Sequence, residues 1–180
     1  MVLKVPQASE EFYQNDRASI DDSECTLIET ISVEGYEDEE LGIYKSPLKE
    51  GNELGGIGYW VGIQNDHDEN TIIAFFIVKP LTLENLSGIT GLRGYVHPEI
   101  RKKGIYRKLR VAASDGGPLI SDLAGQTEDS FLSWMKDPHF SKQFYDYNSG
   151  RLVDPSNVPE DEQHTEYSQG SRWLLVLTPI

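Results

Sequence analysis

Apolar residues fall in short blocks along this chain, and the blocks follow two different periods. Thr26 to Val33 alternates loosely and predicts a strand. Leu41 to Tyr44 predicts a short one, ended by Ser46-Pro47, and Gly51 to Gly58 predicts a glycine-rich loop. Gly58 to Gln64 and Thr71 to Val78 are rich in aromatic and β-branched residues. They predict a hairpin whose polar turn runs from Asn65 to Asn70. Pro80 is expected to end the second of these strands, because proline cannot donate to a sheet ladder. Ile89 to His97 predicts a further strand.

The period then changes. Gly104 to Ser114 predicts a helix, stopped by Asp115-Gly116-Gly117-Pro118. Pro118 to Ser121 predicts a short apolar strand. Thr127 is placed to cap a helix running to Lys136, with Phe131, Trp134 and Met135 inward. Gln143 to Tyr147 and Arg172 to Leu177 predict two more strands, separated by an acidic, proline-containing loop from Asp154 to Gln169. Ser9 to Asn15 predicts a short helix, and Glu34 to Glu40 an acidic turn or helix start. A strand–helix–strand order implies a parallel pair, and a long hairpin implies antiparallel neighbours, so a mixed α/β sheet is expected.

The length of 180 residues favours one domain, read as an acidic segment over residues 1–24 followed by a folded domain over 25–180. No apolar run approaches the roughly 18 residues of a membrane span, and the N-terminus lacks the apolar stretch of a signal peptide. Cys25 is the single cysteine, which points to a reducing cytoplasm. No zinc-ligand spacing is present and no metal is expected. His67 and the acids of the hairpin turn read as a polar tip and not as a calcium loop. The net charge of −14 disfavours direct binding of nucleic acid.

The charge is unevenly placed. The first fifty residues carry thirteen acids and four bases. Arg93 to Arg110 carries seven bases (Arg93, Arg101, Lys102, Lys103, Arg107, Lys108, Arg110) and one acid, Glu99. This basic island coincides with a strand end, a Pro98 that keeps the chain extended before it, and a glycine just before a helix. Free N–H groups at a helix start, ringed by basic side chains, suit a phosphate or pyrophosphate.

Here the chain resembles the GNAT acyltransferases, whose motif A leads a strand into a turn of the form Arg/Gln-x-x-Gly-x-Gly/Ala. The matching turn is Arg101-Lys102-Lys103-Gly104-Ile105-Tyr106, with Val96-His97-Pro98-Glu99 before it and Arg107-Lys108-Leu109 after it. The resemblance implies an α/β fold of GNAT type, with a mixed, mostly antiparallel central sheet and flanking helices. It implies acetyl-CoA as cosubstrate. The backbone from Arg101, Lys102, Lys103, Gly104 and Ile105 to Tyr106 and Arg107 would hold its pyrophosphate. The strand end at Tyr95, Val96 and His97 would pair with its pantetheine arm. The chain departs from the family at Tyr106, where Gly or Ala is usual, and at Trp134, where many members carry a tyrosine acid.

The activity so implied is an N-acetyltransferase acting on an amine of a cationic small molecule or basic protein. Asp122 is the candidate general base and Tyr145 the candidate acid. A second reading stays open, in which a non-catalytic, phage-type acidic protein of this family binds and inhibits a basic, nucleic-acid-binding partner. On either reading the strand candidates at 41–44 and 172–177 are available for pairing in a homodimer.

Overall fold

A computed structural model describes residues 16–52, 54–65, 70–166 and 170–180. The expected helix at Ser9 to Asn15 and the tip of the first hairpin, with its metal reading, lie outside them. Nine strands run in chain order as β1 (Thr26–Ile31), β2 (Leu41–Pro47), β3 (Ile57–Ile63), β4 (Thr71–Leu83), β5 (Leu86–Val96), β6 (Leu119–Ile120), β7 (Phe140–Asp146), β8 (Arg151–Val153) and β9 (Trp173–Pro179). Helix α1 spans Ile105–Ala113 and α2 spans Glu128–Met135. The hydrogen-bonded order is β1-β2-β3-β4-β5-β6-β9-β7-β8.

The expected GNAT-like fold is not what forms. The structure is mostly a nine-stranded mixed sheet, about 20% helical, with α-helices of only nine and eight residues, and not a helix-flanked α/β fold. The cause is visible in the sequence. Residues 16–104 alternate strand formers with Gly, Pro, Asn and Asp turns and hold no apolar 3.6-residue repeat long enough for a flanking helix.

The chain divides into two compact units. One comprises the residues up to Lys79 together with Leu92–Ala113; the other comprises Pro80–Gly91 and Ser114–Ile180. In the first, β1 to β4 form an antiparallel meander. Ile72 to Val78 is buried at every position, which is the mark of a strand covered on both faces. Its core gathers Ile20, Tyr44, Trp60, Ile72, Phe75 and Ile77, with Tyr44 stacked on Trp60 at 4.3 Å. The Trp60 indole N–H donates to Ser46 Oγ at 2.9 Å, so the largest buried side chain leaves no orphaned donor. Helix α1 packs on β3 through Ile105, Leu109 and Ala113, spaced four apart.

In the second unit, β5 pairs with β6 in parallel at Ile89↔Leu119 and Thr90↔Ile120, as the strand–helix–strand order requires. Strand β9 lies between β6 and β7, antiparallel to both. Ile120, Tyr145, Leu174 and Val176 form the core. Thr127 caps α2 as expected, its Oγ1 accepting the Ser130 N–H. Two expectations change. Strand β4 continues through Pro80, because β3 ends its pairing at Ile57↔Val78 and no β3 carbonyl on that side is left without the N–H that Pro80 lacks. Glu34 to Glu40 forms turns, the first of its two expected readings. Strands β2 and β9 each have a partner on both sides, so neither edge is open for pairing between subunits.

Candidate anion-binding turn

Strand β5 ends where the chemistry was expected. Tyr95 turns inward and stacks on Phe75, with ring centres 5.7 Å apart. The His97 N–H donates to the Ile73 carbonyl at 2.8 Å, tying the strand end to β4. His97 is 6% exposed, and its Nδ1 accepts the Glu99 N–H at 3.2 Å to cap a single 3-10 turn over Pro98–Ile100. An Nδ1 that accepts leaves the proton of a neutral ring on Nε2. His97 is thus a turn-forming residue.

The next four residues make the turn. Arg101 Nε donates to the Val96 carbonyl at 2.9 Å, which folds its side chain back on the strand end. Lys102 has φ 64° and Gly104 has φ 76°. The left-handed region costs an L-residue about 1–2 kcal/mol, so Lys102 is held there by its surroundings. A Cβ on Gly104 would meet nothing within 4 Å, so it is backbone conformation, not space, that selects glycine there. The first bond of α1 runs from the Lys108 N–H to the Gly104 carbonyl. The amides of Gly104, Ile105 and Tyr106 precede it and have no intrahelical acceptor. Arg101, Lys102, Lys103, Arg107 and Lys108 are exposed around them. Ile105 is buried and anchors the helix start from beneath.

Tyr106 points away from this surface. Its ring lies edge-on to Phe76 at 5.3 Å, and the Arg110 guanidinium sits 5.1 Å from its centre. Burial pushes its hydroxyl up to about 12, against the opposing pull of Arg110. It is a packing residue, and its bulk leaves the turn surface clear. The acidic loop after β1 lies within electrostatic reach of the turn. Glu37 is held below the usual carboxylate range mainly by the Gly35 N–H at 3.0 Å, with Lys103 adding to it. The buried Tyr36 hydroxyl is pushed up by burial and by the charge of Glu99.

The turn residues from Tyr95 to Arg107 are therefore brought together in the first unit, whereas Asp122 and Tyr145 belong to the second. Asp122 Oδ1 accepts the Ala124 N–H at 2.8 Å in a tight loop. The buried Tyr145 hydroxyl donates to the Glu84 carbonyl at 2.7 Å and is pushed up by burial first and the Glu84 charge second. Their bonds go to the backbone and not to each other. Trp134 is 3% exposed, and its Nε1 has no hydrogen-bond partner among the described residues, nor has the buried Thr90 Oγ1.

One constellation was missed in the sequence. Asp137 is wholly buried, and its Oδ1 lies 3.2 Å from His139 Nδ1 and accepts the His139 N–H at 3.1 Å. It orients an imidazole whose side chain is 55% exposed. The only sequence hint is the Asp-Pro-His spacing that lets one carboxylate close such a turn. Among the described residues no cluster of His, Cys, Asp and Glu is placed to hold a metal ion, and no helix is long and apolar enough to cross a membrane.

No protein-family model, curated protein or solved structure matches this chain. The GNAT resemblance stands on the motif residues alone.

Proposed function

We propose that this chain binds acetyl-CoA through the turn from Arg101 to Arg107 and transfers the acetyl group to an amine of a cationic acceptor in the cytoplasm. One observation carries the reading. Lys102 and Gly104 are both left-handed, directly between a strand end and the start of α1, with exposed bases on every side. The turn leads into the unpaired N–H groups at the start of α1, where a pyrophosphate would gain both hydrogen bonds and charge neutralisation. The neighbouring acidic loop favours a protonated amine over an anionic acceptor. The bound ammonium first gives one proton to water; the neutral nitrogen then attacks the thioester carbonyl, the C–N bond forms as the C–S bond breaks, and CoA leaves as a thiolate that takes up the proton shed by the new amide nitrogen. Holding donor and acceptor together supplies the larger part of the acceleration in such a scheme.

A second reading, binding without turnover, is favoured by the engaged Tyr145 hydroxyl. That proton already belongs to the Glu84 carbonyl, and an indole such as that of Trp134 is not a usable acid near neutral pH. Calorimetry with acetyl-CoA decides whether the cosubstrate binds. Affinity in the micromolar range, lost when Arg101, Lys102 and Lys103 are all changed to Ala, is the expected result. No heat at millimolar acetyl-CoA overturns the proposal. Acetylation of spermidine and of a lysine peptide, followed by mass spectrometry, separates the two readings. Binding with no product on either acceptor supports the second.

A further inference from the structure

The open edge of the first unit is β1. Every residue from Thr26 to Thr30 is exposed, Leu27 to 53% and Ile28 to 43%, and among the described residues no strand pairs with its outer side. Two exposed aliphatic side chains on a free strand are uncommon, because a bare edge is an aggregation hazard. Next to them lies a groove of about 440 Å³ of mixed lining, apolar at Leu27, Leu41, Tyr44 and Ile63 and polar at Thr30, Glu40 and Gln64. Its residues belong to the first unit alone.

Charge chooses the occupant. Residues 21–40 carry nine acids (Asp21, Asp22, Glu24, Glu29, Glu34, Glu37, Asp38, Glu39, Glu40) and no lysine or arginine. A second copy would bring two such stretches together, and nucleic acid would be repelled in the same way. The register also slips between Leu27 and Glu29, and a bulge of this kind discourages the long flat pairing that two identical edges would make.

The geometry points to β1 and its groove as a docking site for a lysine- or arginine-bearing polypeptide segment, which adds to the β1 edge in extended form. Backbone hydrogen bonds along the edge supply affinity, and alternate side chains of the guest enter the groove beside Leu27 and Tyr44. The basic side chains in between point to the other face of the strand, the side of Glu29, while Glu40 attracts them from the margin of the groove. The docking stands by itself. Only the fate of a bound lysine rests on the acetyl transfer proposed above, since the loop that ends at Glu40 also lies beside the Lys103 turn.

A fluorescein-labelled dodecapeptide alternating lysine with valine tests this by anisotropy, with acetyl-CoA absent throughout. Binding is expected at low salt, and a glutamate–valine peptide should fail to bind. The pair Glu29→Lys and Glu40→Lys should weaken binding about tenfold or more, because both attractions become repulsions. Circular dichroism and melting show whether that variant folds, and a rise in salt gives the same readout on the unaltered protein. A lysine–valine peptide methylated at alternate backbone nitrogens should lose affinity. Equal affinity for the methylated peptide overturns strand addition, and no binding of the unmethylated one overturns the site. A dimer in sedimentation that the same substitutions dissociate would assign the edge to a second copy and overturn the proposed occupant. Acetylation of the peptide is assayed separately, so a docking failure and a transfer failure remain distinct.

Discussion

Gly94 and Tyr106 are fitted to each other: a methyl group on Gly94 would stand 2.6 Å from the Tyr106 hydroxyl. The ring cannot easily retreat, because Phe76 and Arg110 close on it. Gly94→Ala is therefore expected to push the start of α1 outward, at a cost of about 1–3 kcal/mol. Urea midpoints give the energy, and calorimetry should show weaker acetyl-CoA binding. In a Tyr106→Ala background the cost of Gly94→Ala should largely vanish. Additive losses would mean that the two residues are not in contact.

Lys102 and Gly104 share a backbone region but respond oppositely to substitution. Lys102→Gly relieves the left-handed strain while loosening the unfolded chain, so its stability should stay within about 1 kcal/mol of the parent or rise slightly. The same change removes a charge and should weaken acetyl-CoA binding severalfold. Gly104→Ala has open space around it yet should destabilise by about 1 kcal/mol, because the conformation and not the room is limiting. Thermal melts beside calorimetry separate the two effects.

Ser46→Ala leaves the Trp60 N–H buried without a partner. The expected loss is about 1–3 kcal/mol, more than the net worth of an ordinary hydrogen bond. Denaturant unfolding of the variant measures it, and a change below about 0.5 kcal/mol would show that water reaches the indole.

Arg172 holds the Asp146 carboxyl below the usual carboxylate range through bonds of 3.2 and 3.4 Å, with the Ser149 side chain and the Asn148 N–H adding to it. The folded value is depressed, so the stabilisation is present above the unfolded value of about 3.9 and is lost as pH falls through the lower folded one. Asp146→Asn should melt below the parent at pH 7. The gap should close as pH is lowered from about 4, where the parent's carboxyl is protonated too. A gap that stays constant down to pH 2 would remove Arg172 as the cause.

Local patterns in this sequence were readable where one interaction dominates. Aromatic and β-branched residues mark β3 and β4 to within a few residues, and the apolar spacing of Ile105, Leu109 and Ala113 marks α1. Pro80 misled because its cost depends on whether a neighbour needs its N–H, which is a fact about where β3 ends. Strand β8 is three residues, Arg151-Leu152-Val153, too short and too little buried to carry a period, and what defines it is the pairing with β7. The turn from Arg101 to Gly104 was legible because glycine and clustered bases act locally. The commitment of Tyr145 to the Glu84 carbonyl was not, since 61 positions separate them in the chain. The fold-level analogy failed for a related reason: a motif of a few residues constrains one turn and leaves the rest of the sheet free.

The two compact units are interleaved along the chain, and this bears on how the protein is made. The first unit needs residues on both sides of Pro80–Gly91, and the second owns that intervening piece. A nascent chain released as far as Lys79 still lacks α1 and the end of β5, so it holds an unfinished meander with its basic turn unmade. Neither unit is complete until the other has been started. All of the first unit has emerged once Ala113 is released, with Pro80–Gly91 carried as an insert, whereas the second still waits for Ser114–Ile180; a single cut yields no fragment containing all of the first unit and none of the second.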